Sequence, residues 1–223
     1  MKTGDERKKA LIARYQALKQ TIEARGARLV AVGKYAPDEA IECLLEAGCL
    51  DFGESRPQAL RDRAQRFANA RWHQIGPVQR NKAKYIARYA SLWHSLEDLT
   101  VAEEVVKRLQ GRRLKALLQV NLSGDPKRHG VAWDAIEKVL EQAEALEGIE
   151  IVGLMGIAPL GEDPRPHFER LAREKERLFG AGGELSLGMS GDWQLALDVG
   201  ATLVRIGRAL FGDWDARHSK EER

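Results

Sequence analysis

The stretch Arg28-Leu-Val-Ala-Val-Gly-Lys34-Tyr-Ala-Pro37 continues as Asp38-Glu-Ala-Ile-Glu-Cys-Leu-Leu-Glu-Ala-Gly48, and its reading decides the fold. Leu29 to Val32 are apolar and run into a glycine, the pattern of a buried strand that ends in a turn. The residues from Pro37 onward read as a helix, with proline near the first turn and Gly48 at the end. A strand followed by a helix is the building unit of a parallel sheet. Lys34 falls where the strand leaves the core. With its stem against apolar neighbours, burial there would disfavour the charged form of its amine. A lysine so placed either snorkels to water, the commoner case, or attacks a carbonyl. This stretch alone favours the first reading.

The same unit recurs outward from it. Before it, Leu11, Tyr15, Leu18 and Ile22 recur at helical spacing with charges between them, which gives a leading helix within 1–27. After it come predicted strands over Leu50–Glu54, Arg71–Gly76, Ser91–Ser95, Leu114–Asn121, Ile149–Met155, Glu184–Met189 and Ala201–Ile206. Between them lie helical stretches, among them Arg56–Ala70, Val78–Tyr89, Glu97–Leu109, Arg165–Phe179 and Asp192–Val199, with a last helix starting at Ala209. Eight strand–helix units in strict alternation predict an α/β fold, a closed (β/α)8 TIM-type barrel with an extra N-terminal helix. An open, doubly wound sheet is the runner-up, because periodicity does not distinguish the two. No linker or shift of composition interrupts the pattern, so 1–223 reads as a single domain, with 213–223 as a polar tail.

Composition narrows the function. The 36 basic and 33 acidic side chains leave a net charge of +3, too balanced for a nucleic-acid-binding protein. Cys43 and Cys49 lack a CxxC or Cys/His spacing, so neither a zinc site nor a disulfide framework is expected. The N-terminus is charged and has no signal-type apolar core, and no apolar run reaches the length of a membrane span. A cytoplasmic, monomeric protein without a membrane or nucleic-acid partner is the expectation.

In a parallel barrel, function gathers at the carboxyl ends of the strands, and a phosphate often sits between the loops after strands seven and eight. Here those loops read Gly188-Met-Ser-Gly-Asp192 and Arg205-Ile-Gly-Arg208. Ser190 offers a hydroxyl, and Gly191 and Gly207 allow a close backbone approach to an anion at two predicted helix starts. Each alone has an ordinary explanation: Ser190 as an N-cap, Gly207 as a turn residue, Arg205 as half of an ion pair. Their coincidence at both loops favours a phosphate site. Closure sets strand one beside strand eight and brings Lys34 opposite Arg205. A lysine, an arginine and a phosphate cup suit a phosphorylated aldehyde held as an imine, and pyridoxal 5'-phosphate fits that description.

With these residues assembled, the chain resembles the pyridoxal-phosphate homeostasis protein family (the YggS/PROSC type), itself similar to the N-terminal barrel domain of alanine racemase. The resemblance rests on Leu29-Val-Ala-Val-Gly-Lys34, Asp51-Phe-Gly-Glu-Ser-Arg56, Trp72-His-Gln-Ile-Gly-Pro-Val-Gln-Arg-Asn-Lys82, Leu118-Gln-Val-Asn121, Gly153-Leu-Met155, Gly188-Met-Ser-Gly-Asp192, and Val204-Arg-Ile-Gly207 with Ala209-Leu-Phe-Gly212. It implies that Lys34 forms the aldimine, that Ser190, Gly191, Gly207 and the Arg208 amide make the phosphate cup, and that Arg205 faces the ring nitrogen. It gives His73, Asn81 and Lys82 a supporting role at most, His73 reading as a buried, hydrogen-bonded strand residue. The chain departs from the family pattern at Ser55, usually asparagine, at Gly33, often serine, and at Arg208, usually threonine. The implied function is intracellular homeostasis of this vitamin B6 cofactor: binding it without catalysis and delivering it to apo forms of pyridoxal-phosphate-dependent enzymes. The alternative is an amino-acid racemase-like enzyme, which needs a base on each face of the carbanion. Related racemases take the second base, a tyrosine, from a further C-terminal domain, for which the residues after the barrel leave no room. Tyr35, next to Lys34, is expected to point away from it. A Schiff-base aldolase on the same barrel would place its lysine near strand six, where Gly153-Leu-Met-Gly156 has none.

Overall fold

The computed structural model describes residues 3–214. Its strands are β1 (Arg28–Val32), β2 (Asp51–Glu54), β3 (Arg71–Gln74), β4 (Leu92–Leu96), β5 (Leu114–Val120), β6 (Ile149–Gly156), β7 (Glu184–Ser186) and β8 (Leu203–Ile206). They form a closed barrel in chain order. The pairing of β1 with β8 decides between the two sheet readings: it is parallel, with Val30 opposite Arg205 and Ala31 opposite Ile206. An open, doubly wound sheet would not close its first strand onto its last and would end in two edge strands.

Helices α1 (Gly4–Glu23), α2 (Asp38–Glu46), α3 (Pro57–Arg66), α4 (Ala83–Tyr89), α5 (Leu99–Val106), α6 (Ile136–Glu144), α7 (Pro164–Phe179), α8 (Trp193–Asp198) and α9 (Arg208–Phe211) complete the alternation. Among the described residues, no helix is long and apolar enough to cross a membrane. The leading helix α1 opens with a reciprocal cap: Glu6 N–H donates to the Thr3 hydroxyl at 3.3 Å, and Thr3 N–H donates to the Glu6 carboxylate at 2.8 Å. It buries Leu11, Tyr15 and Ile22 against the body, with Leu18 half-buried. It also fixes the last helix, since Arg14 donates to the carbonyls of Leu210 (2.8 Å) and Phe211 (3.1 Å) at the end of α9.

Two boundaries differ from the sequence pattern for physical reasons. The apolar run Glu184–Met189 reads as one strand, yet β7 stops at Ser186. Gly188 takes φ +81°, and a Cβ there would lie 2.7 Å from the Ala196 Cβ and 2.8 Å from the Trp193 Cα. The chain therefore turns over the start of α8 at a residue without a side chain. The expected polar tail also begins later. Asp213 and Trp214 form a 3-10 turn, Trp214 is buried, its Nε1 donates to the Arg7 carbonyl at 3.3 Å, and Arg7 stacks on its ring at 4.3 Å. The remainder of that tail, 215–223, lies outside the described residues.

The main core lies between the strands and the helices. A smaller apolar cluster, Val30, Leu92, Leu117, Met155 and Leu203, fills part of the barrel interior. Complete burial of such side chains stabilises by roughly 1.5–3 kcal/mol each. The rest of the interior is polar, which leads to the site.

Candidate functional site

A cavity of about 550 Å³ opens at the carboxyl ends of β1 and β8 and beneath the loops after β6 and β7. Lys34, Ser190, Gly191, Arg205, Gly207 and Arg208, the six residues singled out in the sequence, all line it. Ser55 lines it as well, whereas Asn81 and Lys82 sit in a 3-10 turn away from it.

Lys34 lies two residues beyond β1, in a turn, and is exposed. Its amine sits 5.0 Å from the centroid of the Tyr35 ring. This corrects two expectations. The stem is not enclosed by apolar neighbours, and Tyr35 packs against Lys34 rather than pointing away. The strand has ended at Val32, so side-chain alternation no longer applies. The turn is held from outside the barrel. Arg63 on α3 donates to the Ala36 carbonyl at 2.5 Å and pairs with the buried Glu54 at 3.4 Å. Burial pushes Glu54 above the usual carboxylate range, against the pull of Arg63. A Cβ at Gly33 would lie 2.6 Å from Arg63 Nη1 and 3.0 Å from Ile41 Cδ1, so a larger residue here would make those side-chain ends shift.

Arg205, the third residue of β8, points into the barrel and is 3% exposed. Its Nη1 donates to Ser186 Oγ at 2.5 Å and its Nη2 to the Gly156 carbonyl at 3.0 Å. Burial lowers its pKa to about 10, so the guanidinium stays charged at neutral pH. The glycine that ends β6, where a lysine is missing, is therefore the second support of the arginine.

The two loops of the cup are tied together: Ala209 N–H, after β8, donates to the Ser190 hydroxyl, after β7, at 3.2 Å. Asp192 braces the first loop by accepting the Met189 N–H at 2.6 Å. A Cβ on Gly191 would meet no protein atom within 4 Å, so the space beside its amide opens to the cavity. Helix dipoles add less than the sequence suggests. The helices that follow, α8 and α9, have only six and four residues, and a macrodipole needs aligned peptide units to accumulate. The groups in the cavity suited to attract an anion are loop amides, the Ser190 hydroxyl and the exposed Arg208.

Two features escape the sequence reading. The loop after β6 supplies an apolar wall through Ile157, Ala158, Pro159 and Leu160, with Leu160 95% exposed at the rim. Behind Arg205, Ser186 leads to the buried His94 and His73 and on to Asp51. His73 is thus the buried, hydrogen-bonded histidine expected, at 2% exposure. Among the described residues, no cluster of His, Cys, Asp and Glu is arranged to hold a metal ion.

A phosphorylated aromatic aldehyde needs an amine for the aldehyde, donors for the dianion, a partner for the ring nitrogen and apolar walls for the ring. The cavity offers Lys34, the Ser190–Ala209 linked loops, Arg205, and Val32, Ile75 and Ala158 in those four roles. The residues present fit such a group.

Comparison with known proteins agrees with the geometry. The family model described as the alanine racemase N-terminal domain matches residues 7–215. A pyridoxal phosphate homeostasis protein of Deinococcus radiodurans is 41% identical over 189 residues, covering 82% of this chain and 88% of that protein. The chain belongs to the pyridoxal phosphate homeostasis protein family. A further member of the homeostasis family, from Mycobacterium tuberculosis, is 34% identical over 234 residues and matches 91% of each chain. PipY of Synechococcus elongatus, solved with PLP bound, superposes with a TM-score of 0.80 at 30% identity, over 91% of this chain and all (100%) of that one. Alanine racemase of Corynebacterium glutamicum, at 16% identity and a TM-score of 0.69 over 91% of this chain and 60% of its own, shares the fold alone.

Proposed function

We propose that this chain is a cytoplasmic, monomeric, non-catalytic binding protein that holds pyridoxal 5'-phosphate through Lys34 and releases it to apo enzymes that need it. The observation that carries this reading is the convergence, in one cavity, of an accessible lysine, a buried arginine and two cross-linked anion loops. Lys34, the exposed amine of the cavity, would hold the cofactor reversibly at its aldehyde. Ser190, the Gly191 and Gly207 amides and Arg208 hold the phosphate. Arg205, a permanent donor, faces the ring nitrogen and disfavours its protonation, which weakens the ring as an electron sink. When bound, the cofactor supplies an electrophilic carbonyl and an electron-withdrawing ring; the protein's part is to grip it without driving a reaction through it.

The second reading, a racemase-like enzyme, requires bases on opposite faces of the substrate. Tyr35, the neighbour of Lys34, packs its ring against that same amine, which supports the binding reading. One titration tests the proposal. Cofactor-free protein given pyridoxal phosphate develops a visible absorption band, and Lys34→Ala does not. No band in the parent protein refutes the covalent reading, and turnover of amino-acid enantiomers that depends on Lys34 replaces it with the enzymatic one.

A further inference from the structure

The barrel interior beneath the cavity carries an unbroken string of buried polar side chains. From the pocket end, Arg205 Nη1 reaches Ser186 Oγ at 2.5 Å, and Ser186 Oγ lies 2.9 Å from His94 Nδ1. His94 Nε2 lies 2.8 Å from His73 Nδ1, and His73 Nε2 lies 3.0 Å from Asp51 Oδ1. Asp51 opens β2 at the other end of the barrel, where the half-exposed Arg71 grips both its oxygens at 2.7 and 2.6 Å. The five inner groups come from five different strands and are each less than 9% exposed.

With both histidines neutral, the ends of the string fix the direction of every bond within it. A guanidinium only donates and a carboxylate only accepts. Burial acts to raise Asp51, but hydrogen bonds from His73 and Arg71 outweigh it and keep the carboxyl ionised well below its usual range. Ser186 therefore accepts from Arg205 and donates its own proton to His94 Nδ1. His94 then carries its proton on Nε2 and donates to His73 Nδ1, and His73 carries its proton on Nε2 and donates to Asp51. With both histidines neutral, Ser186, His94 and His73 each give one bond and take one along the string, and reversing any link leaves either two donors or two acceptors facing each other. A carboxylate that selects a histidine tautomer through its hydrogen bond is well-established chemistry.

Filling this volume with apolar side chains would cost less, since buried polar groups repay their desolvation only when all are satisfied. The adjoining interior, with Val30, Leu117 and Leu203, is filled that way. The string also ends on the one buried cation of the cavity. Two of Arg205's five N–H donors are taken by the wall, and the side chain still lines the pocket.

We propose that Asp51, His73, His94 and Ser186 are positioning residues: a one-way hydrogen-bond relay, oriented by Asp51, that holds the Arg205 guanidinium in place as the donor to the cofactor's ring nitrogen. The proposal deepens the reading of the cavity as a pyridoxal phosphate site and depends on it. It explains why a histidine pair lies at the centre of the barrel. The same string links the ring-nitrogen contact to Arg71 at the opposite face.

Two measurements test it. Side-chain nitrogen NMR of histidine-labelled, cofactor-free protein is expected to show His73 and His94 both neutral with the proton on Nε2. Either one found charged or with its proton on Nδ1 overturns the relay, whatever the cofactor does. The second uses His94→Phe, which breaks the string, and His94→Gln, whose amide accepts from Ser186 and donates to His73. His94→Phe is expected to weaken pyridoxal phosphate binding about tenfold and to shift the visible band, with His94→Gln restoring most of both. If the parent protein shows the band and both variants match it in position and affinity, the relay fails while the cofactor reading stands. If both variants weaken binding equally and leave the band unmoved, His94 is only a packing residue and the relay is overturned. If the parent shows no band at all, the cofactor reading itself is what fails.

Discussion

Replacing Ser186 with alanine removes one oxygen, yet two buried groups depend on that oxygen. Arg205 Nη1 loses its acceptor and His94 Nδ1 loses its donor. Ser186 is fully buried, and a hydroxyl is smaller than the roughly 30 Å³ that a water occupies in the liquid, so solvent does not take its place without local rearrangement. A hydrogen bond from a charged donor contributes about 1.5–3 kcal/mol and a neutral one about 1 kcal/mol, which puts the expected loss of stability at about 2.5–4 kcal/mol. With a urea slope of about 2–3 kcal/mol per molar for a chain of this size, the unfolding midpoint should fall by about 0.8–2 M. The assay is equilibrium urea unfolding of cofactor-free protein followed by tryptophan fluorescence. A fall of less than about 0.3 M, under 1 kcal/mol on the same slope, would show that Arg205 and His94 do not rely on Ser186, and the account of the buried string would be wrong.

Acid should act in two separate ranges. Burial, with His73 and Arg205 as neighbours, holds His94 well below its usual 6.5, so the unfolded chain takes up a proton there that the fold refuses. Stability from this residue is complete above about pH 6.5 and is lost as pH falls below it, with a slope of up to about 1.4 kcal/mol per unit that His94→Gln flattens; urea midpoints across pH 5–7.5 measure it. Asp51 has the opposite kind of group but the same sign: its depressed pKa adds stability above the unfolded value of 3.8, lost only below that pH. Gly188→Ala forces a Cβ into a left-handed turn against Ala196 and Trp193. It should cost about 2–5 kcal/mol and lower the melting temperature by more than about 5 °C in a thermal scan. Ser190→Ala removes the acceptor for the Ala209 N–H and a hydroxyl of the cup. It should weaken pyridoxal phosphate binding about tenfold in a fluorescence titration while the visible band still forms.

The fold was legible because its pattern is local and repeated. Each apolar run ending in a turn and each following helix could be read alone, and eight of them favour closure, which the pairing of β1 with β8 decides. The six lining residues were legible for a related reason: they sit at strand ends, where the barrel's own geometry says function gathers. What could not be read from the pattern depends on side chains meeting across the barrel. His94 and Ser186 sit inside strands that look simply buried. A trace of the pairing is present in the sequence, since Trp72-His73 and Trp93-His94 repeat one dipeptide in neighbouring strands. With the tryptophans facing the helices, alternation turns both histidines inward. Register alone, however, does not say that ring nitrogens come within 2.8 Å. Tyr35 shows the limit in the other direction. It lies three residues past the end of β1, in a turn where strand alternation no longer holds. The short helices α8 and α9 similarly reduced a dipole argument to one about loop amides.

The most direct test of the central claim is to treat the protein with pyridoxal phosphate, reduce it with borohydride to make any C=N bond permanent, and locate the modified lysine by peptide mass spectrometry. The account predicts one modified site, Lys34, and none in protein given excess inorganic phosphate as a competitor for the cup. Modification spread over surface lysines, or a single site other than Lys34, would contradict it.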